Sequence, residues 1–258
     1  MIMVPLLPDS LGGRLRWLLV FGLVALSLMA CRSTPDPQVQ SLEPTAQAAD
    51  ARLQSIDASQ RSIDHSLARL ESLTSDFDAL RDATSDTDLP LSLLRLVAIN
   101  CLNHPYRSVD QERHLLNGRP LTCQPEHLSR LDDLLQDAST SERDRAHDLL
   151  LTVDQARLLH GSTRQRIRRL RLAADDHMAF IADERARLRR HEETLQTQQH
   201  RFSEQGWQRA NDDLQQRHQQ LNDIQSLLAE VADHAPQWQE RLNASISALY
   251  VSISNLAA

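Results

Sequence analysis

A repeat of seven residues runs through the second half of this 258-residue chain. Between Leu149 and Phe202, apolar residues recur in alternating steps of three and four. Eight consecutive positions spaced seven apart are apolar with one exception: Val153, His160, Ile167, Ala174, Ile181, Leu188, Leu195 and Phe202. A sustained heptad predicts a long helix that packs one apolar seam against another helix. This pattern argues against a compact, sheet-rich fold.

A second heptad seam runs from Trp207 to Leu256, directly after Ser203-Glu204-Gln205-Gly206. Glycine readily supplies the left-handed residue beyond a helix end, so Gly206 predicts the tip of an antiparallel hairpin within residues 140–258. Such a hairpin would be roughly 75–95 Å long. A single continuous helix through Gly206 is the alternative, since one glycine costs only about 1 kcal/mol. Pro236 is expected to kink the second helix.

Composition agrees with long helices joined by few turns. The chain has only 6 glycines and 3% aromatic residues, and three of those glycines precede residue 31. We therefore expect an all-α fold, an elongated helical bundle with an antiparallel coiled-coil hairpin and a short disulfide-stapled loop region. Of the later glycines, Gly118 falls in a turn signal, whereas Gly161 has no evident role in the pattern.

The first thirty residues have the parts of a secretory signal peptide. Arg14 and Arg16 precede an apolar run from Trp17 to Ala30, which is too short to span a membrane. The end of this run, Leu28-Met29-Ala30-Cys31, resembles the lipobox of bacterial lipoproteins. The resemblance implies lipidation of Cys31 (a palmitate-type acyl anchor) and a mature chain facing the periplasm. The alternative is an ordinary signal peptide, or a short anchor, with a chance cysteine.

Residues 31–45 are proline-rich and polar, which predicts an extended tether from the lipid to the folded part. In lipoproteins an Asp after the cysteine favours inner-membrane retention. Here Arg32 and Ser33 follow, so the resemblance implies the outer membrane. Residues 46–82 then carry a narrow apolar stripe that predicts a heptad helix.

Residues 88–139 are expected to form a helical region around a loop bracketed by Cys101 and Cys123. It begins with a largely apolar helix after Pro90, and a short helix is expected from Pro125 to Ala138. In an oxidising periplasm, two cysteines that flank an irregular segment most often form a disulfide. The alternative is a zinc site of Cys101, His104, Cys123 and His127. Ser139 and Glu142 have the spacing of a helix capping box.

Three histidines lie on the long seam: His160, His177 and His191. Protonation near pH 6 could loosen the seam and make it a pH sensor. The alternative is that they are polar positions that set helix register, as in coiled coils.

Two arginine-rich bands follow each other along the same helix, the first at residues 164–171 and the second at residues 185–190. All 28 basic residues are arginines, yet the net charge is −7, which disfavours nucleic-acid binding. The bands form either a solvated face neutralised by nearby acids or a surface for an anionic partner. For the second reading the candidate partner-binding residues are Arg164, Arg168, Arg171, Arg185 and Arg189.

The motifs of common catalytic sites are missing from the sequence. There is no Gly-x-Ser-x-Gly elbow, no His-Glu-x-x-His and no phosphate-binding glycine loop. We therefore predict a non-enzymatic protein without cofactor or resident metal. A cell-wall hydrolase is a remote alternative that would need a catalytic cleft in the loop region.

Two stretches, Leu94–Cys101 (LRLVAINC) and Leu134–Arg143 (LLQDASTSER), resemble the QseG-type outer-membrane lipoproteins. These are helical proteins that partner a two-component sensor kinase. The resemblance implies a periplasmic protein partner, such as a sensor kinase of this kind. The alternative is a structural or assembly role, as a spacer or accessory of an envelope secretion or efflux complex. Homo-oligomers are compatible with either function.

Overall fold

Helices account for most of the described chain. The computed structural model describes residues 43–84, 87–106, 114–116, 119–123 and 125–257. The helices are α1 (Glu43–Asp82), α2 (Leu91–Leu102), α3 (Leu128–Leu135), α4 (Thr140–Gln198) and α5 (Glu204–Ser254), and the strands are β1 (His114–Leu116) and β2 (Arg119–Leu121). Short 3₁₀ turns follow α4 and α5, at Gln199–Arg201 and Asn255–Ala257. The predicted all-α class is confirmed.

Ala49–Ala258 forms one packed unit, separate from Met1–Ala48. Within it, α4 and α5 pack side by side and antiparallel. Arg185 of α4 donates to Asn222 and Gln225 of α5, at 2.8 and 2.7 Å. At 1.5 Å per residue, the 59 residues of α4 span about 88 Å. The elongated bundle with a coiled-coil hairpin is therefore confirmed.

Helix α1 is the third member of this bundle. It runs antiparallel to α4, because Arg52 meets His177 near one end and Ser62 and Ser66 meet Arg166 further along. It runs parallel to α5, since Asp50 accepts from Gln220 and Glu71 accepts from Arg241. The apolar stripe predicted for residues 46–82 faces inward: its buried side chains are Ile56, Ile63, Leu67, Leu70, Leu73 and Phe77.

A column of acids on α1 sets the register against α5. Asp50, Asp57, Asp64, Glu71 and Asp78 are spaced seven residues apart. Asp64 accepts from the indole nitrogen of Trp238 at 2.9 Å, and Glu71 accepts from Arg241 at 2.9 Å. Acids that flank an apolar seam choose the partner helix and its register. Asp50, Asp64 and Glu71 therefore specify which face of α5 lies against α1. Asp57 and Asp78 pair instead with Arg61 and Arg81 of α1 itself.

The hairpin turns at Gln199–Phe202, before Gly206. A 3₁₀ turn follows α4, Phe202 is extended, and Ser203 caps α5 by accepting from the backbone N–H of Gly206. Gly206 lies in the first turn of α5, so its prediction as a tip residue is wrong. Phe202 leaves the seam and packs beside Trp207, with ring centroids 6.5 Å apart.

The other helix boundaries follow local chemistry. Helix α4 starts directly after the predicted capping box, in which Ser139 and Glu142 exchange hydrogen bonds. Hydrogen bonds from the side chain and backbone of Ser139 lower the pKa of Glu142. Helix α5 continues through Pro236, and the kink expected there stays a prediction. Helix α1 already begins at Glu43, within the predicted tether.

The region between α2 and α4 contains a short hairpin that the sequence reading did not predict. β1 and β2 pair antiparallel, with Leu115 opposite Pro120. The short helix α3 starts at Leu128 rather than at Pro125, because His127 has a left-handed backbone, with φ 66°. The residues predicted to form the signal peptide, Cys31 and most of the predicted tether lie outside the described residues. Among those described, no helix is long and apolar enough to cross a membrane.

Candidate functional site

The loop region is joined to α2 by a disulfide and is held against α4 by a buried ion pair of that helix. Cys101, in the last turn of α2, is disulfide-bonded to Cys123, just after β2, and their Cα atoms are 5.2 Å apart. Both cysteines are fully buried. Directly beside them, Asp154 and Arg157 lie one turn apart on α4 and pair at 2.7 Å.

Both charges of this pair are almost completely buried, with 2% and 3% of their surfaces exposed. Asp154 accepts from the backbone N–H of Thr122 at 2.7 Å and from its hydroxyl. Arg157 donates to the Thr122 hydroxyl at 2.7 Å and to the carbonyl of Pro105 at 3.2 Å. A buried pair is stable only when further hydrogen bonds satisfy its atoms, and this one has them.

The network positions the backbone on both sides of the disulfide. The network has one signal in the sequence. Asp154 and Arg157 form an i, i+3 pair of opposite charges, and each directly follows a buried apolar residue, Val153 or Ala156. Sequence reasoning missed it because exposed pairs with that spacing are common on helices.

Gly161 has a clear structural role one turn further along α4. The ring of Tyr106 lies against its Cα, and a Cβ on Gly161 would stand 2.7 Å from Tyr106 Cδ2, well inside van der Waals contact. The glycine therefore permits the end of the loop to approach the helix backbone.

A groove opens beside this contact, between the end of α2, helix α4 and the end of α5. Its volume is about 770 Å³, within the usual range of ligand and peptide sites. It is lined by Tyr106, His160, Arg164, Gln165, Tyr250 and Val251, among others. Tyr250 and Val251 are 44% and 58% exposed, which is high for apolar side chains at the end of a bundle.

The first arginine band divides between two faces of α4. Arg164, Arg168 and Arg171 are exposed, and no described carboxylate forms an ion pair with them. Arg166 turns the other way and donates to Ser62 and Ser66 of α1 at 3.2 and 2.8 Å. The candidate residues of this band thus share one open face.

The second band lies near the hairpin tip and is partly engaged within the bundle. Arg185 bridges to α5, as described above, and Arg187 pairs with Asp183 and Glu184 at 3.0 Å. Arg189 is exposed and reaches only the carbonyl of Arg185, at 3.4 Å. Of the two predicted partner-binding residues in this band, Arg185 therefore serves the hairpin itself.

The surroundings of two seam histidines disfavour their charged form. Burial, then the charge of Arg164, lowers the pKa of His160. Burial, then Arg52, lowers the pKa of His177, against a weaker opposing effect of Asp176. Arg52 lies 2.7 Å from Nδ1 of His177. Because a guanidinium only donates, this Nδ1 accepts, and the ring carries its proton on Nε2.

The zinc alternative needed thiolates from Cys101 and Cys123 together with His104 and His127. The structure uses both sulfurs in the disulfide, and a disulfide sulfur is not a thiolate ligand. The third potential ligand near them is Asp154 rather than a histidine, and Arg157 and Thr122 already bind its carboxylate. His127 is exposed at the start of α3.

Comparison of the chain with protein-family models, with curated proteins and with solved structures finds no match. The features that bear on function are therefore the open face of α4, the groove beside it and the disulfide-bonded loop.

Proposed function

We propose that this chain is a lipid-anchored, non-enzymatic helical protein of the bacterial periplasm that binds a protein partner. The observation that carries this proposal is the open face of α4, where Arg164, Arg168 and Arg171 stand exposed beside the exposed Leu172 and Met178. Leu172 is 61% and Met178 is 45% exposed. Basic and apolar side chains together on a rigid helix are typical of a protein interface.

The finer form of the proposal is that the partner is the sensor region of an envelope two-component kinase, with the chain held at the outer membrane through Cys31. A bundle about 88 Å long could carry a binding face well away from the lipid surface. The same length favours the second candidate function, a spacer in an envelope secretion or efflux complex.

Crosslinking in native cells followed by affinity recovery from membranes tests both candidates. A sensor kinase as the main crosslinked protein supports the first function, and a secretion or efflux component supports the second. If the recovered crosslinks contain neither, the partner assignment is wrong.

The anchor is tested separately with Cys31→Ala, using Ser33→Ala as the matched control. The control is expected to fractionate with the outer membrane, and Cys31→Ala to leave it, because two or more acyl chains are what hold such a protein stably. If Cys31→Ala still fractionates with the outer membrane, the lipid-anchor argument is wrong.

A further inference from the structure

Helix α4 carries a third packing stripe besides the faces that meet α1 and α5. Its positions follow one another in steps of three and four, so they lie along one side of the helix: Leu150, Asp154, Arg157, Gly161, Arg164, Arg168, Arg171, Asp175 and Met178. The side chains toward α2 are buried and those from Arg164 onward are exposed. We call Arg164–Met178 the open half of the stripe.

The covered half shows what this stripe is built to bind. Helix α2 packs against both α4 and α5, and the chain after it covers Asp154, Arg157 and Gly161. At the base of the bundle, α2 therefore occupies a fourth helix position, and the cover provided by the described residues extends as far as the contact of Tyr106 with Gly161. Beyond that contact the same stripe continues for about 21 Å without cover from the described residues.

The charge of the open half defines the class of occupant. Three arginines on neighbouring turns, Arg164, Arg168 and Arg171, are exposed and have no described ion-pair partner. Within this bundle, α1 meets α5 by placing acids opposite basic or N–H donors, as Glu71 meets Arg241 and Asp64 meets Trp238.

We propose that the open half of the stripe binds an acidic amphipathic helix of the partner protein, which continues the fourth helix position beyond α2. Acids of that helix pair with Arg164, Arg168 and Arg171, its apolar side chains cover Leu172 and Met178, and one end reaches the groove at Tyr250 and Val251. The inference rests on the proposed function and specifies the chemistry of its partner.

Site-specific photocrosslinking in native cells tests this placement, with the full chain at its normal membrane. A photoreactive amino acid replaces Leu172, Met178 or Val251 on the proposed site, and Ala68, Ser75 or Ala79 on the exposed face of α1 as matched controls. The crosslinked peptide of the partner is then sequenced by mass spectrometry.

The expected result is capture from the three positions of the proposed site, at least about tenfold above the controls, of one protein segment with acids at helical spacing. The combined change Arg168→Glu and Arg171→Glu should reduce that capture at least about tenfold, because opposed charges become like charges. Unchanged capture by this variant overturns the inference.

The identity of the captured molecule separates the two proposals. A protein segment that is not acidic, or a second copy of this chain, overturns the acidic helix but leaves a protein-binding function. Crosslinks to lipid alone, from every position, overturn both.

Discussion

The ring of Tyr106 lies directly on the backbone of Gly161, at the boundary between the covered and the open parts of α4. This contact explains a glycine in the middle of a 59-residue helix. It also means that the effect of Gly161→Ala on stability depends on the side chain at position 106.

Gly161→Ala should destabilise the protein although alanine is the better helix former. The new Cβ would overlap the Tyr106 ring and force the end of the loop away from α4. In a Tyr106→Ala background the same change should instead stabilise by about 1 kcal/mol, the helix-propensity difference between the two residues. Urea unfolding of the four proteins of this cycle measures both effects. Equal effects of Gly161→Ala in the two backgrounds would show that the contact does not matter.

Asp154→Ala should be among the most damaging single changes in the chain. It leaves the guanidinium of Arg157 buried without its carboxylate, which typically costs about 3–5 kcal/mol. Asp57→Ala is the matched control, since it removes an exposed i, i+4 pair with Arg61 and should cost less than about 1 kcal/mol. Denaturant unfolding compares the two, and similar losses would contradict the structural role of the buried network.

Reduction of the disulfide should loosen the loop region and leave the hairpin tip intact. Cys101 and Cys123 are 22 residues apart, and closing such a loop stabilises by about 3 kcal/mol in the chain-entropy account. Hydrogen exchange with and without reductant should show faster exchange at α2 and around Tyr106, with no change near Leu195 and Leu214. If the exchange rates at α2 and around Tyr106 are the same with and without reductant, and release of both thiols is verified, the prediction is wrong.

Acidification should destabilise the bundle through its seam histidines. The folded-state pKa values of His160 and His177 lie below the ordinary value of 6.5. The unfolded chain therefore takes up these protons first, so the contribution is complete above about pH 6.5 and is lost as the pH falls through that value. The free energy of unfolding, measured from pH 8 to 5, should fall.

His177→Gln should flatten that decline, because glutamine keeps an acceptor for Arg52 but takes up no proton. His65→Gln, at an exposed position of α1, is the matched control for the loss of a histidine. If the free energy of unfolding of His177→Gln depends on pH as steeply as that of the wild type, His177 does not contribute to the decline.

The heptads predicted the long helices because an apolar seam with a period of seven residues is buried efficiently only when two helices pack along it. Leu188 and Leu195 of α4, and Leu221 and Leu228 of α5, are buried as that pattern requires. The same reasoning did not show that α1 joins the hairpin, since an apolar stripe indicates that a helix has a partner but not which one. The partner is specified by long-range pairs such as Asp64 with Trp238.

The site was less predictable than the fold. The arginine bands were visible in the sequence, but burial alone distinguishes Arg157, in the network, from the exposed Arg164 seven residues later. The turn at Gln199–Phe202 was misplaced because Ser203 caps α5 with its hydroxyl, so no left-handed glycine is needed there. The sequence did not predict the hairpin of β1 and β2, because strands of three residues are too short to show an alternating pattern.

The central claim, that the open face of α4 binds a protein partner, is tested most directly by partner recovery from native membranes. Two charge-reversed variants are compared with wild type: Arg168→Glu with Arg171→Glu on the open face, and Arg169→Glu with Arg190→Glu outside it. All four arginines are exposed on the same helix. The account predicts that the first variant loses at least about nine-tenths of the recovered partner and that the second retains it. Equal recovery by both variants would contradict the claim.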